Sequence, residues 1–350
     1  MDAINGKETA FSGNAKLPEY VSYLNECKLN PQFFIELTSV CNFKCFYCNS
    51  PYSNRKFQMT DEIFYRILDQ VPEVTRQAIR LHIDGEPMLH KKFHQYAKDI
   101  NAIGYDVALA SNGSLLDPAF LDIKMSVSIN LSTSPEEFEK RSSIPFQRYI
   151  DTLSDYVNAW RKRPNRQRIT FTIYSTQEER NNQECMENKY NFIERFVKKC
   201  GFEKPAIDKS SNQIFIHRKE NGPLLQIGQG NVTSGGLYPN TDNRDLSAKL
   251  DRDFGFCDSP WKRLAVLANG QVVYCCIDLD GSLAYTKPEE LFNTPLKEIW
   301  LHDERIERLR HQLLAGRAKH KACQVCLDRL PTREFYTRFQ PAFVNNRTGK

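Results

Sequence analysis

No stretch of this 350-residue chain approaches the roughly 20 consecutive apolar residues that a membrane-crossing helix needs. The segment from Met1 to Phe11 is polar and lacks the apolar core of a secretory signal. These two absences predict a cytoplasmic protein with no membrane partner. Net charge is only +5, from 48 basic and 43 acidic residues, which gives no ground for a nucleic-acid partner. The seven histidines include no His-x3-His or similar ligand pair, and no Gly-x4-Gly-Lys-Ser/Thr phosphate loop is present. Repeats at a fixed period and low-complexity tracts are also missing. The basic run around Arg161, Lys162 and Arg163 reads as a solvated helix end, and Trp261 and Trp300 read as core anchors.

Cysteine, by contrast, is plentiful: there are 11, an odd number. Disulfides rarely persist in a reducing cytosol, so closely spaced cysteines there point to metal or catalysis. Cys27, Cys185 and Cys200 are scattered and suit ordinary buried thiols. Cys41, Cys45 and Cys48 fall within eight residues and do not.

Apolar, β-branched runs predict strands at Phe33–Thr38, Ile79–Ile83, Asp106–Ala110, Ser126–Leu131, Ile169–Tyr174 and Gln213–His217. Helical patterns lie between most of them. Thr60 is placed to cap a helix with Ile63, Phe64 and Ile67 on one face, and Lys91–Ile103, Arg148–Trp160 and Asn191–Lys199 follow. Such alternation predicts an α/β fold, a partial (β/α)6 TIM-like barrel. Residues 1–31 form an N-terminal extension and 32–218 the barrel. The glycine-rich stretch 219–254 reads as a linker or irregular loop, 255–332 as a small second domain and 333–350 as a tail. Within the second domain, Leu264–Leu267 and Val272–Cys275 flank Asn269-Gly270, a two-residue hairpin signal. A helix is expected near Pro295–Leu314.

Three thiolates spaced by three and two residues after the first strand can converge from one tight loop. Iron–sulfur clusters are held by thiolates, usually four, so three leave one iron open. Zinc is the rival, but structural zinc sites normally close with four protein ligands. The spacing C-x3-C-x2-C resembles the signature of the radical S-adenosylmethionine (radical SAM) superfamily, with aromatic Tyr47 before the last cysteine. The resemblance implies that Cys41, Cys45 and Cys48 hold a [4Fe–4S] cluster whose open iron binds the amino and carboxylate groups of SAM. It implies reductive cleavage of SAM to a 5′-deoxyadenosyl radical, which removes a hydrogen atom from substrate. Gly85-Glu86-Pro87 resembles the family's segment near the SAM amino group, although Asp84 stands where the family often has a second glycine. Ser111-Asn112-Gly113 resembles another SAM-side segment, and Ser128 and Asn130 share one face of the fourth strand, a face that the resemblance implies is turned toward the SAM ribose.

A second cysteine set comprises Cys257, Cys275, Cys323 and Cys326, separated by seventeen, forty-seven and two residues. Spacing alone leaves zinc and an iron–sulfur cluster open. The context around Pro260-Trp261, Asn269-Gly270, Cys275-Cys276 and Leu296–Trp300 resembles the auxiliary-cluster extensions of radical SAM enzymes, in the shorter twitch form of the SPASM type. That resemblance implies a second, auxiliary [4Fe–4S] cluster with four cysteine ligands. Spacing does not separate Cys275 from Cys276; family habit favours Cys275.

A fully ligated auxiliary cluster can accept an electron. The implied reaction is dehydrogenation of a sugar- or aminocyclitol-like alcohol, by similarity to dehydrogenase members of the superfamily. The alternative enzyme is a maturase that epimerises or crosslinks a ribosomal peptide; the alternative outside enzymes is an iron–sulfur or zinc scaffold. A flavodoxin or ferredoxin donor and a small-molecule or peptide substrate are the implied partners.

Overall fold

Alternating strands and helices demand a parallel sheet, and the computed structural model contains one. It describes residues 17–45, 48, 53–163, 167–175, 179, 181–202, 206–208, 213–218, 224–231, 257–275, 281 and 283–314. The strands are β1 Gln32–Ile35, β2 Ile79–Arg80, β3 Val107–Ser111, β4 Met125–Asn130, β5 Arg168–Ser175, β6 Ala206–Asp208, β7 Gln213–Arg218, β8 Leu224–Asn231, β9 Arg263–Val266 and β10 Val272–Val273. Their order is β10-β9-β1-β2-β3-β4-β5-β8-β7-β6 in one open sheet. Every pair from β9 through β1 to β5 and on to β8 is parallel. Antiparallel strands finish both edges. The result is a partial TIM-like barrel, not a closed one.

One strand differs from expectation. Gln213–His217 forms most of β7, but it runs antiparallel to its neighbours. The sixth position beside β5 belongs to β8, inside the stretch read as irregular. Gly228 and Gly230 hide that strand, because glycine weakens a strand signal. They stand opposite Thr172 and Tyr174, where the sheet register supplies the pairing that the local sequence does not announce.

Period-two alternation sets the two faces. Phe33, Ile35, Leu81, Leu109, Val127, Ile129, Ile169 and Phe171 pack under the helices in the main core. Their neighbours Ala108, Ala110, Ser128, Asn130, Thr170 and Thr172 lie on the opposite, inner face and stay half-exposed. The helices form as their patterns require. The Thr60 hydroxyl accepts from Ile63 N, and Phe64 and Ile67 are fully buried. Helix Phe93–Ala102 buries Phe93, Tyr96, Ala97 and Ile100. Helix Phe146–Arg161 ends with the Arg161 guanidinium on the Cys200 carbonyl and over the Phe202 ring, so the basic run caps a structural junction. Helix Gln183–Lys199 starts earlier than expected because Asn182 caps it, accepting from Cys185 N. The helix expected near Pro295–Leu314 is two, Leu296–His302 and Glu304–Leu314. They break at Asp303, whose backbone is extended and whose carboxylate accepts from Arg305 N.

The C-terminal region extends the barrel sheet. Four residues of β9 pair in register with four of β1. The β9–β10 connection is a three-residue loop, 268–270, instead of a two-residue turn: Leu267 N donates to Gln271 O, Gly270 N to Leu267 O, and Gly270 takes φ +88°. The N-terminal extension contributes helix Leu17–Lys28, tied to this region by Lys28–Glu307 at 2.9 Å and by Trp300 Nε1 on the Lys28 carbonyl.

Candidate active site

The loop after β1 carries Cys41, Cys45 and Cys48. Phe43 anchors it: the ring is 2% exposed, meets Phe138 edge-on at 5.4 Å and lies under the Arg141 guanidinium. Lys44 N donates to Arg141 O, and Cys48 N to Cys45 O. Cys45 is buried, while Cys41 and Cys48 are half-buried at the core's edge. Donors already face the sulfurs. Phe43 N reaches Cys41 Sγ at 3.4 Å, Asn112 Nδ2 reaches it at 3.9 Å, and Arg141 Nη1 reaches Cys45 Sγ at 3.7 Å. Burial pushes the Cys41 thiol up to about 11, so it ionises only against bound positive charge. Among the described residues, no three Cys, His, Asp or Glu side chains gather as they would around a single ion. One buried and two half-buried thiols, with N–H donors aimed at Cys41 and Cys45, fit an iron–sulfur cluster, whose charge such donors stabilise.

The turn after β2 locks this loop in place. Gly85 has φ +69°, and a Cβ there would lie 2.4 Å from the Thr38 carbonyl oxygen. Glu86 N donates to Val40 O at 2.8 Å. The Glu86 carboxylate, 1% exposed, turns inward and accepts from Asn112 N at 2.7 Å, Ser111 Oγ at 3.0 Å and Met88 N at 3.2 Å. Pro87 opens the short 3-10 turn Pro87–Leu89. Asn112 in turn holds Asn42 at 2.8 Å. Glu86 thus joins the ends of β2 and β3 beneath Cys41.

Burial pushes Glu86 up to about 7 despite these donors. The unfolded carboxyl releases its proton near 4.5, so between pH 4.5 and 7 the folded chain holds a proton that the unfolded chain lacks. Stability from this group is present below that window and falls as pH rises through it, by about 3 kcal/mol in all. Urea denaturation at pH 5 and pH 8 should show wild type losing most of that amount relative to Glu86→Gln. Parallel pH dependences would remove the buried-carboxyl account.

On the inner face, Ser128 and Asn130 stand one step apart, beside Thr170 and Thr172 in register; Ser128 Oγ lies 3.5 Å from Thr172 Oγ1. Tyr149 OH holds the Asn130 carbonyl from behind. His82 also belongs to this face, and burial holds it down at about 4. Its Nδ1 accepts from Ala110 N at 3.1 Å.

Glu36, at the end of β1, was not singled out from the sequence. It is fully buried, pairs with Arg55 from the cluster loop and accepts from Ala268 N at 2.9 Å. It therefore ties that loop to the C-terminal hairpin. Arg141 was also missed; no local pattern marks either residue, since their partners lie far away in sequence.

Of the second cysteine set, Cys257 and Cys275 are described and half-buried. Ser259 Oγ reaches the Tyr274 carbonyl at 3.5 Å, so the two cysteine segments run side by side. Because β10 runs against β9, Cys275 leaves at the N-terminal end of β9, opposite the end where Cys41 leaves β1. Cys275 packs beside Tyr274, Ile306, Leu309 and Leu313. Tyr47, Cys276, Cys323 and Cys326 lie outside the described residues.

Two family models match the chain: the radical SAM superfamily over residues 35–180, and SPASM, an iron–sulfur cluster-binding domain, over 257–327. A tungsten-containing aldehyde ferredoxin oxidoreductase cofactor-modifying protein of Pyrococcus furiosus is 28% identical over 92 residues, 25% of each chain. The match thus spans a quarter of that relative's length. The Streptococcus suis SuiB structure shares the fold at TM-score 0.53, with 13% identity, covering 89% of this chain and 76% of that one. The anSMEcpe structure with bound AdoMet and the Cp18Cys peptide does so at 0.50, with 14% identity, covering 90% and 98%. The cysteine loop, the parallel half-barrel above which it stands and the two matching models together make this chain a member of the radical SAM superfamily, with SAM and [4Fe–4S] clusters as its cofactors and a SPASM-type auxiliary-cluster domain.

Proposed function

We propose that the chain dehydrogenates a sugar-like alcohol. When bound, SAM and the two clusters supply a 5′-deoxyadenosyl radical that takes the carbinol hydrogen atom, and an acceptor for the electron left behind. The hydroxyl proton leaves to a base and the product is a ketone, so atoms and electrons balance. Cys41, Cys45 and Cys48 would hold the first cluster and Cys257, Cys275, Cys323 and Cys326 the second. Gly85, Glu86, Pro87, Ser111 and Asn112 shape the SAM side, directly or by fixing the cysteine loop. Ser128 and Asn130 offer hydrogen bonds from the barrel wall, and Tyr47 belongs to the same site. A flavodoxin- or ferredoxin-type donor completes the cycle.

The observations that carry this reading are the exit of Cys41 at one end of the paired strands β1 and β9 and of Cys275 at the other, together with the half-exposed inner face of β3, β4 and β5, polar on β4 and β5. A substrate on that face meets hydrogen abstraction at one end and an electron exit at the other. The test uses anaerobically reconstituted protein with dithionite as reductant. Cys45→Ala should abolish formation of 5′-deoxyadenosine. Cys323→Ala should leave it largely intact while removing the electron paramagnetic resonance signal of one cluster. A Cys323→Ala protein that keeps both signals would strip the dehydrogenase reading of its electron acceptor.

A further inference from the structure

A TIM barrel normally fills its interior with layers of branched apolar side chains. The inner face of β3, β4 and β5 departs from that pattern: it carries Ala108, Ala110, Ser126, Ser128, Thr170 and Thr172, all half-exposed or exposed, while Phe34, Ala265, Leu267 and Val273 pack together on the β1 and β9 side. The floor of the barrel interior is basic. Sheet register carries one row from Arg80 through Ala108 and Ser126 to Arg168. All four have the inner-face parity of Ser128 and Thr170. Arg80 lies with its guanidinium 5.4 Å over the Phe34 ring and donates to Ala78 O at 3.3 Å, which directs it to the N-terminal rim. Arg168 opens β5 and is exposed, and among the described residues no carboxylate pairs with it. Arg263 lies on the same side, opposite Gln32. Asp106 sits at this rim too, but Lys124 neutralises it at 2.6 Å.

We propose that this floor binds an anionic group of the substrate, a phosphate or carboxylate, at the end remote from the reacting carbon. The inference rests on the radical SAM reading of the opposite end. Guanidinium groups match both oxyanions with paired N–H donors. The Asn130/Thr172 row lies four residues up the strands, about 13 Å from the floor at 3.3 Å per residue. That span holds a sugar ring with its anionic substituent between the floor and the SAM side. A cationic aminocyclitol would meet like charge there, so the substrate class narrows to acidic or phosphorylated sugars and similar polyols.

The test is calorimetric titration of the reconstituted protein at low salt with two probes, inorganic pyrophosphate and tricarballylate. SAM binding is measured on every variant. Wild type should bind at least one probe saturably, one per chain, and Arg168→Gln should weaken it about tenfold or more, the loss of a charge-assisted contact. Arg80→Gln should do the same, and Lys56→Gln, beside the cysteine loop, should not. Pyrophosphate binding alone identifies a phosphate ester, tricarballylate alone a carboxylate, and both a general oxyanion site. No saturable binding, or binding indifferent to both arginine substitutions, overturns the proposal. SAM binding lost in wild type would instead strike the radical SAM reading itself.

Discussion

Gly85→Ala is expected to empty the first cluster site and to destabilise the fold by about 3 kcal/mol or more, the sum of a left-handed backbone penalty and overpacking. The new methyl would lie 2.4 Å from Thr38 O, 2.7 Å from Val40 O and 2.9 Å from Ser39 C. These are backbone atoms, so no side-chain rotation relieves them. Relief requires moving the chain just before Cys41, or breaking the 2.8 Å bond from Glu86 N to Val40 O. Either route displaces the cysteine loop. Iron content after reconstitution and a denaturation midpoint check the result. Gly104 has a similar φ, +91°, with nothing near its missing Cβ, so Gly104→Ala is the control for backbone conformation alone. Equal effects at both sites would show that crowding at Gly85 is irrelevant.

The second large effect concerns the buried pair Glu36–Arg55. Arg55→Met leaves the carboxylate without its ion-pair partner in a fully buried position, and removing one member of such a pair typically costs about 3–5 kcal/mol. The double variant Glu36→Gln/Arg55→Met removes both charges, nearly keeps the volumes and retains an acceptor for Ala268 N. It should recover most of the loss. Chemical denaturation of the wild type, the single and the double variant closes the cycle. Additive destabilisation in the double would show that the two groups do not interact.

Much of this site was legible because its chemistry demands local patterns. Three cysteines must sit close in sequence to leave one loop, and period-two alternation alone puts Ser128 and Asn130 on the inner face. The turn at Gly85 carried a readable signal as well, but its reason did not: the clash partners are Thr38 and Val40, on another element. Glu36, Arg55 and Arg141 were silent, since a buried ion pair or a guanidinium above a cysteine sulfur depends on tertiary neighbours. The strand β8 was obscured by its own glycines. The inner arginines were visible as residues and became a row only through the register of β2, β3, β4 and β5.

Two [4Fe–4S] clusters on two separate cysteine sets are the basis of the proposed reaction, and iron and sulfide per chain after anaerobic reconstitution report on both at once. In wild type about eight irons are expected, falling to about four in the Cys41/Cys45/Cys48→Ala variant, with thiolates as the protein ligands. About four irons falling to none, with zinc bound in the remainder, would contradict that basis and leave the C-terminal site structural.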